Sequence, residues 1–212
     1  MAKIYTTAVA VLACIGQGDA SSDLVYACTN PEVLPQNGES DDDEKRREQF
    51  QALLGAERIE QLRRDWDHFV DREYFCRLWV IQELHAGEER LVLSGNSIVT
   101  WDDLSAMQSA LDSIFGFTRN LKFAMLDELL RIDREGGSPS TNPSNLWDYL
   151  RHFYCEDVRD RVYGTLGILD WEQAGIQKPL PDYETSPLGL AVRLTLRAVP
   201  ETGANSYYVA SN

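Results

Sequence analysis

The sequence predicts an α/β fold, a parallel sheet flanked by helices, followed by a C-terminal part built from helices. Three observations carry that expectation. The chain has 212 residues, 43% hydrophobic and 25% charged, which is the make-up of a folded globular chain and excludes wholesale disorder or a fibrous repeat. At about 150 residues per domain it holds one sizeable core, with or without a tail. An unbroken apolar run, VAVLACIG, ending at Gly16, suits a strand buried on both faces of a parallel sheet. Strand-like and helix-like stretches then alternate through the front half, as in parallel α/β proteins.

The elements follow in order. Residues 1–20 loosely fit a secretory signal, with Lys3, an apolar stretch from Ile4 to Gly16 and Ala20. Tyr5, Thr6, Thr7 and the single positive charge argue against it, and the reading adopted is a helix end at Ile4 to Ala8 running into the buried strand. Residues 29–44, TNPEVLPQNGESDDDE, carry two prolines, a glycine and a run of acids, the composition of an exposed, mobile loop. From Lys45 the spacing of Phe50, Leu53, Leu54, Ile59, Leu62, Trp66 and Phe69 predicts an amphipathic helix or a pair of helices, interrupted at Gly55.

A further helix is expected from about Arg72 to His85, closed near Gly87. RLVLSG reads as a short strand, and TWDDLSAMQSAL as a helix opened by a Thr100–Asp103 capping box. Leu104, Met107, Leu111, Ile114 and Phe115 would form its core face. GGSPSTNPSN, residues 136–145, is a natural hinge. Beyond it LWDYLRHF and DRVYGTLGIL read as helices, and PDYETSP as a turn into the helix LGLAVRLTLRAV. The expected organisation is an α/β part over 1–135, a helical part over 146–200 and a frayed tail over 201–212.

Charge narrows the partners. Twenty Lys and Arg stand against 34 Asp and Glu, a net charge of −14, which repels phosphate backbones and removes the electrostatic term that dominates nucleic-acid affinity. Cys14, Cys28, Cys76 and Cys155 are far apart, and the histidines are His68, His85 and His152. Neither zinc-ligand spacing nor a disulfide framework emerges, so reduced thiols, a cytoplasmic location and no bound metal are expected. No stretch reaches the roughly 18 apolar residues of a membrane span.

The segment YFCRLWVIQELHAG holds the most chemical information. Trp79 and Glu83 are four apart, so on a helix they share a face. A carboxylate beside an indole is partly desolvated, which raises its pKa and fits it for acid, base or charge-stabilising work. The structural reading weighs more: Trp79, Phe75 and Leu78 in the core, with Glu83 paired to an arginine at its edge. Asp157, Arg159, Asp160 and Arg161 could form a polar network or contact a partner, although alternating charges at a helix start more often cap the helix. His85 is two residues from Glu83 and does not face it on a helix. Ser94 lacks a nucleophile-elbow context, and no Gly-rich phosphate loop precedes a helix.

Four blocks, RLWVIQEL, LSGNSIVTWDDL, DVRDRVYGTLGI and PDY at Pro181 to Tyr183, resemble in order and spacing the fungal heterokaryon incompatibility (HET) domain. The start, MAKIYTTAVAVLACIG, is similar too, with Cys14 where a tryptophan is usual. The resemblance covers roughly residues 1–183. The family's upstream Tyr-x-x-Leu-Ser-Tyr-x-Trp-Gly strand and Asp-Ala-Ile-Cys-Ile-Asn-Gln block have no counterpart, so the resemblance implies a domain lacking its amino-terminal part, with a sheet edge left open to pairing.

HET domains are in turn thought to be distantly similar to TIR domains, which implies an incomplete TIR-like, flavodoxin-like sheet. The TIR Trp-Cys-x-x-Glu block has the spacing of Trp79 and Glu83, with Val80 in place of the cysteine. That likeness nominates Glu83 as the residue stabilising an oxocarbenium-like ribosyl centre in NAD⁺ cleavage, with Trp79, Gln82 and Phe75 as pocket or core support. The implied role is a signalling module in fungal nonself recognition and programmed cell death, acting by self-association or through a protein partner and without a cofactor. The alternatives are a TIR-like NAD⁺ glycohydrolase, with NAD⁺ as substrate only, and an inactive remnant.

Overall fold

The computed structural model describes residues 9–29, 43–85, 87–116, 121–134, 149–169, 171–172 and 176–198. They fall into two compact units, residues 3–76 with 87–127 and residues 77–86 with 128–212. The helix end expected at Ile4 to Ala8, positions 30–42 of the acidic loop, the hinge at 136–145 and the tail at 201–212 lie outside the described residues.

The first unit is built on a three-stranded sheet of β1 (Ala10–Cys14), β2 (Glu89–Ser94) and β3 (Ser97–Thr100), in that order. β1 and β2 are parallel, with Leu12 opposite Leu91. β2 and β3 are antiparallel, with Leu93 opposite Ile98, so the sheet is mixed and not wholly parallel as expected. The reason is the turn at Gly95–Asn96, a two-residue hairpin signal. Gly95 sits at φ +59°, and a Cβ there would meet the Gly18 backbone nitrogen at 2.8 Å. Only glycine lets the chain reverse that close to the loop after β1.

The sheet also departs from the expected double cover. Val11 and Ala13, with Val92 and Val99, are buried on one face. On the other, Leu12 is 58% and Ile98 54% exposed, while Leu91 and Leu93 are half-buried. α1 (Ala20–Cys28) packs on β3 and sends the Tyr26 hydroxyl to the Val92 carbonyl, 3.1 Å away. α1 begins where the Asp19 carboxylate accepts the Ser22 N–H at 2.8 Å and the Ser22 side chain accepts the Asp19 N–H, a reciprocal cap.

Gly55, at φ +76°, divides the expected amphipathic stretch into α2 (Asp43–Leu54) and α3 (Ala56–Val70). Asp43 and Glu44, read as loop, are already helical. α3 buries Ile59, Leu62, Trp66, Phe69 and Val70. Thr100 caps α6 (Trp101–Phe115), its hydroxyl accepting the Asp103 N–H at 3.1 Å. α6 buries Leu104, Met107, Leu111 and Ile114, whereas Phe115 is 38% exposed.

Trp66, Phe69, Phe75, Trp101 and Phe123 form a continuous aromatic cluster, the Trp101 and Phe123 rings stacked 4.9 Å apart. Both indole N–H groups are satisfied, Trp66 by Gln108 at 2.8 Å and Trp101 by Asp127 at 2.9 Å. Burying large rings with their polar atoms paired stabilises this unit.

The single helix expected from Arg72 to His85 is two: α4 (Glu73–Cys76) and α5 (Trp79–His85). Between them Arg77 forms a parallel bridge with Tyr154, and the Leu78 N–H donates to the Tyr154 carbonyl at 2.9 Å instead of to a helical acceptor. A helix not anticipated from the sequence, α7, spans Leu121–Arg134.

In the second unit, only four residues of DRVYGTLGIL are helical, α8 (Asp160–Tyr163), followed by turns. Gly164 is where the helix yields: a Cβ there would meet the Asp160 carbonyl at 2.7 Å and the Leu78 side chain at 3.1 Å. Of LWDYLRHF, residues 146–148 lie outside the described set, Tyr149 and Leu150 are helical and a turn follows. Residues 176–182 have no regular secondary structure, since Pro179 and Pro181 lack backbone donors. The C-terminal part is therefore less helical than expected. Its last helix, α9 (Pro187–Ala198), starts as the sequence suggests: Pro187 fits the first helical position, and the Ser186 hydroxyl accepts the Gly189 N–H at 3.1 Å.

Candidate functional site

Asp160, 8% exposed, is the centre of a polar network inside the second unit. One carboxylate oxygen accepts the Tyr183 hydroxyl at 2.6 Å, and the other accepts the Trp79 indole N–H at 3.2 Å. Burial of the Tyr183 phenol and its bond to the Asp160 carboxylate push its ionisation well above the usual tyrosine range. Three residues along α5 from Trp79, Gln82 donates to the Tyr163 carbonyl at 2.8 Å. Two side chains of one short helix thus tie down both ends of α8.

Arg159 holds the neighbouring turn. Its guanidinium donates to the Tyr183 and Thr185 carbonyls at 2.5 and 2.9 Å and grips the Asp157 carboxylate through Nε and Nη2. It also lies over the Tyr183 ring, 5.3 Å from the centroid. Hydrogen bonds from Arg159 hold the Asp157 carboxyl down to about 2. Arg161 points elsewhere, to the Leu150 carbonyl at 3.0 Å.

The turn from Asp182 to Thr185 is closed by its own carboxylate. Asp182 accepts the Thr185 hydroxyl at 2.5 Å and the Glu184 and Thr185 N–H groups at 3.0 and 3.3 Å. These bonds, the Thr185 hydroxyl foremost, hold its carboxyl below the usual range. Beside this turn lies a cavity of about 480 Å³. Buried Tyr163, Pro179, Leu190 and Leu194 line it with Gln177, Leu180 and Asp182, and Lys178 and Arg193 bring positive charge to it. The Tyr163 hydroxyl donates to the Asp182 carbonyl at 2.8 Å and accepts its N–H at 3.0 Å, so the ring, not the hydroxyl, is what it presents.

The nominated Glu83 is half-buried on α5 and is not among the residues lining this cavity. The Trp79 indole N–H is directed to Asp160. The nominated support residues fall in different units: Trp79 and Gln82 in the second, and Phe75 in the first unit's aromatic cluster, 5.7 Å from Phe69. Sequence reasoning passed over Tyr163, Lys178, Asp182, Tyr183 and Arg193. Tyr163 lies in the DVRDRVYGTLGI block and Asp182 and Tyr183 in the PDY block, whereas Lys178 and Arg193 had no signal.

The first unit has an arginine-centred node of its own. Arg72 donates to Ser94 Oγ at 2.7 Å, the Gln17 carbonyl at 3.3 Å and the Asp19 carboxylate at 2.8 Å, and it lies over Phe69 at 5.5 Å. The Ser22 N–H, above all, holds Asp19 below the usual carboxyl range. Among the described residues no cluster of three His, Cys, Asp or Glu suits a metal ion, and no helix is long and apolar enough to cross a membrane.

These features define a mixed α/β protein with two polar nodes and a cavity beside one of them. Residues 1–83 match the family model Heterokaryon incompatibility protein (HET), so this stretch of the chain is similar to part of that domain. The resemblance noted from the sequence is thus shown over the first unit's β1 to α4 and most of α5, while the LSGNSIVTWDDL, DVRDRVYGTLGI and PDY blocks lie beyond the matched residues. No curated protein and no solved structure matches the chain.

Proposed function

We propose that this chain is a heterokaryon incompatibility-type module of fungal nonself recognition, which promotes cell death by holding a protein partner and not by catalysis. The observation that carries the reading is the uncovered face of the sheet within and beside the HET-matched residues. Leu12 and Ile98 stand 58% and 54% exposed, with Leu91 and Leu93 between them. Apolar side chains gathered on one sheet face are a common mark of a protein contact.

Charge selects the partner. Glu88 and Glu89 are exposed at the start of β2, and the chain carries −14 overall. Like charge opposes approach of a second copy and favours a protein whose apolar patch is ringed by lysine and arginine. Glu83 is then a structural residue of α5.

The test is expression of the full chain in a fungal host, scored by growth arrest, with the variants Leu12→Asp and Ile98→Asp. Both positions are exposed, so the fold tolerates aspartate, and arrest should be lost while the melting curve stays in place. Unchanged arrest overturns the reading, as does dimerisation through this face in light scattering, which makes the occupant a second copy. Glu83→Gln should leave arrest unaltered. Loss of arrest together with loss of nicotinamide release from NAD⁺ would transfer the function to that carboxylate.

A further inference from the structure

The cavity beside the Asp182–Thr185 turn has a chemistry that the contact reading does not use. Its volume, about 480 Å³, lies within the range of small-ligand sites, roughly 300–1,000 Å³. Tyr163 is 2% exposed and Leu190 and Leu194 5% each, and with Pro179 they make an apolar floor. The charges at its margin are unbalanced. Asp182 is the only carboxylate among the lining residues, and both its oxygens are occupied within its own turn. Arg193 stands 3.5 Å from it, and Lys178 has no ion-pair partner among the described residues.

In a chain with 34 acids and 20 bases, this margin carries two cations and one carboxylate, and the exposed Lys178 ammonium lies beside an apolar hollow. A neutral apolar ligand would leave it unused, and a cation would meet two positive groups against one committed carboxylate. The occupant that satisfies both floor and margin has one negative head and a short hydrocarbon body.

We propose that this cavity binds a small amphiphilic carboxylate, its head between Lys178 and Arg193 and its apolar body over Tyr163, Leu190 and Leu194. The Asp182–Thr185 turn, held by Arg159, would fix one wall before the ligand arrives, limiting the ordering that binding has to pay for. The site is independent of the sheet face and stands whether or not that face binds a partner.

Octanoate is the probe, titrated calorimetrically into the full chain, with octanol and octylamine as matched neutral and cationic controls. The expected result is saturable one-site binding of octanoate, with the Leu190 and Leu194 methyl resonances shifting in step. Octanol and octylamine should bind at least about tenfold more weakly. Lys178→Glu and, separately, Arg193→Gln should each weaken octanoate binding while leaving octanol and the melting curve unchanged. Both side chains are exposed, so neither variant should disturb the fold. Absence of saturable octanoate binding, equal affinity for octanol, or octanoate affinity untouched by both variants overturns the proposal.

Discussion

Arg72 in the first unit and Arg159 in the second do almost the same things with different results. Each guanidinium reaches backbone carbonyl oxygen, one for Arg72 and two for Arg159, grips one carboxylate and lies over an aromatic ring. Arg72 ties the loop after β1 to the end of β2, where Gly18 and Gly95 already touch. There the two backbones meet directly. Arg159 ties down a turn whose other side is the wall of a cavity. The difference lies in what surrounds the arginine: two glycines let backbones close together at Arg72, while Pro179, Pro181 and the Asp182 turn keep them apart near Arg159. An arginine clamp therefore marks a place where the backbone must be held, and the local chain decides whether holding it closes a seam or frames a pocket.

The largest expected effect tests whether the second node is a buried network and not a surface arrangement. Asp160→Ala leaves the Trp79 indole and the Tyr183 hydroxyl without their acceptor, and should cost about 3 kcal/mol in denaturant unfolding. Asp160→Asn, which retains an acceptor, should cost less. A loss indistinguishable from that of an exposed-site variant would break the comparison. Next in size, Arg72→Ala should cost about 2 kcal/mol, the scale of charge-assisted hydrogen bonds. Amide exchange should quicken at Gly16–Asp19 and Gly95 while residues 182–186 stay protected. If protection falls equally in both places, the nodes are not separate.

The smallest effect is in acid. Asp157 is held at about 2 against an ordinary 3.8, so between those values the unfolded chain binds the proton and the native state does not. That stabilisation is complete above about pH 4 and is lost as pH falls towards 2. Asp182, also held low, acts in the same direction. An acid titration followed by NMR should show the Asp182–Thr185 turn loosening in this window. Tyr183 has the opposite sign: its raised ionisation means stability declines as pH rises above the ordinary tyrosine value of about 10.

What the sequence reveals and what it hides follow from the range of the interactions. The strand at VAVLACIG, the division at Gly55 and the Thr100 cap are local signals, and each is where the residues place it. Which face of β1 is covered is not local, because Val11 and Leu12 look alike in a uniformly apolar run. The hairpin was signalled by Gly95–Asn96, but the following helix start drew the reading away from Ser97–Thr100. Nothing in YFCRLWVIQELH announces a break. It comes from Tyr154, a distant residue that captures the Leu78 N–H.

The candidate site was hidden for the same reason. A four-residue spacing directs attention from Trp79 to Glu83, yet the indole's partner is Asp160, 81 positions away. Asp157, Arg159 and Asp160 were visible as a charged cluster, but their division of labour depends on a turn more than twenty residues downstream. Lys178 and Arg193 are unremarkable in one dimension. Their common ground is a hollow that exists only once the chain has folded.

The one-sided sheet also has a consequence for how this protein behaves in a tube. In dilute buffer, mutual repulsion between strongly anionic molecules keeps their greasy planes apart. At about 1 M salt that repulsion reaches only ~3 Å, and salts of the sulfate type also make water a poorer host for hydrocarbon. Precipitation on salting should therefore begin at the bare strands while the interior is still native, and an aspartate at Leu12 should postpone it.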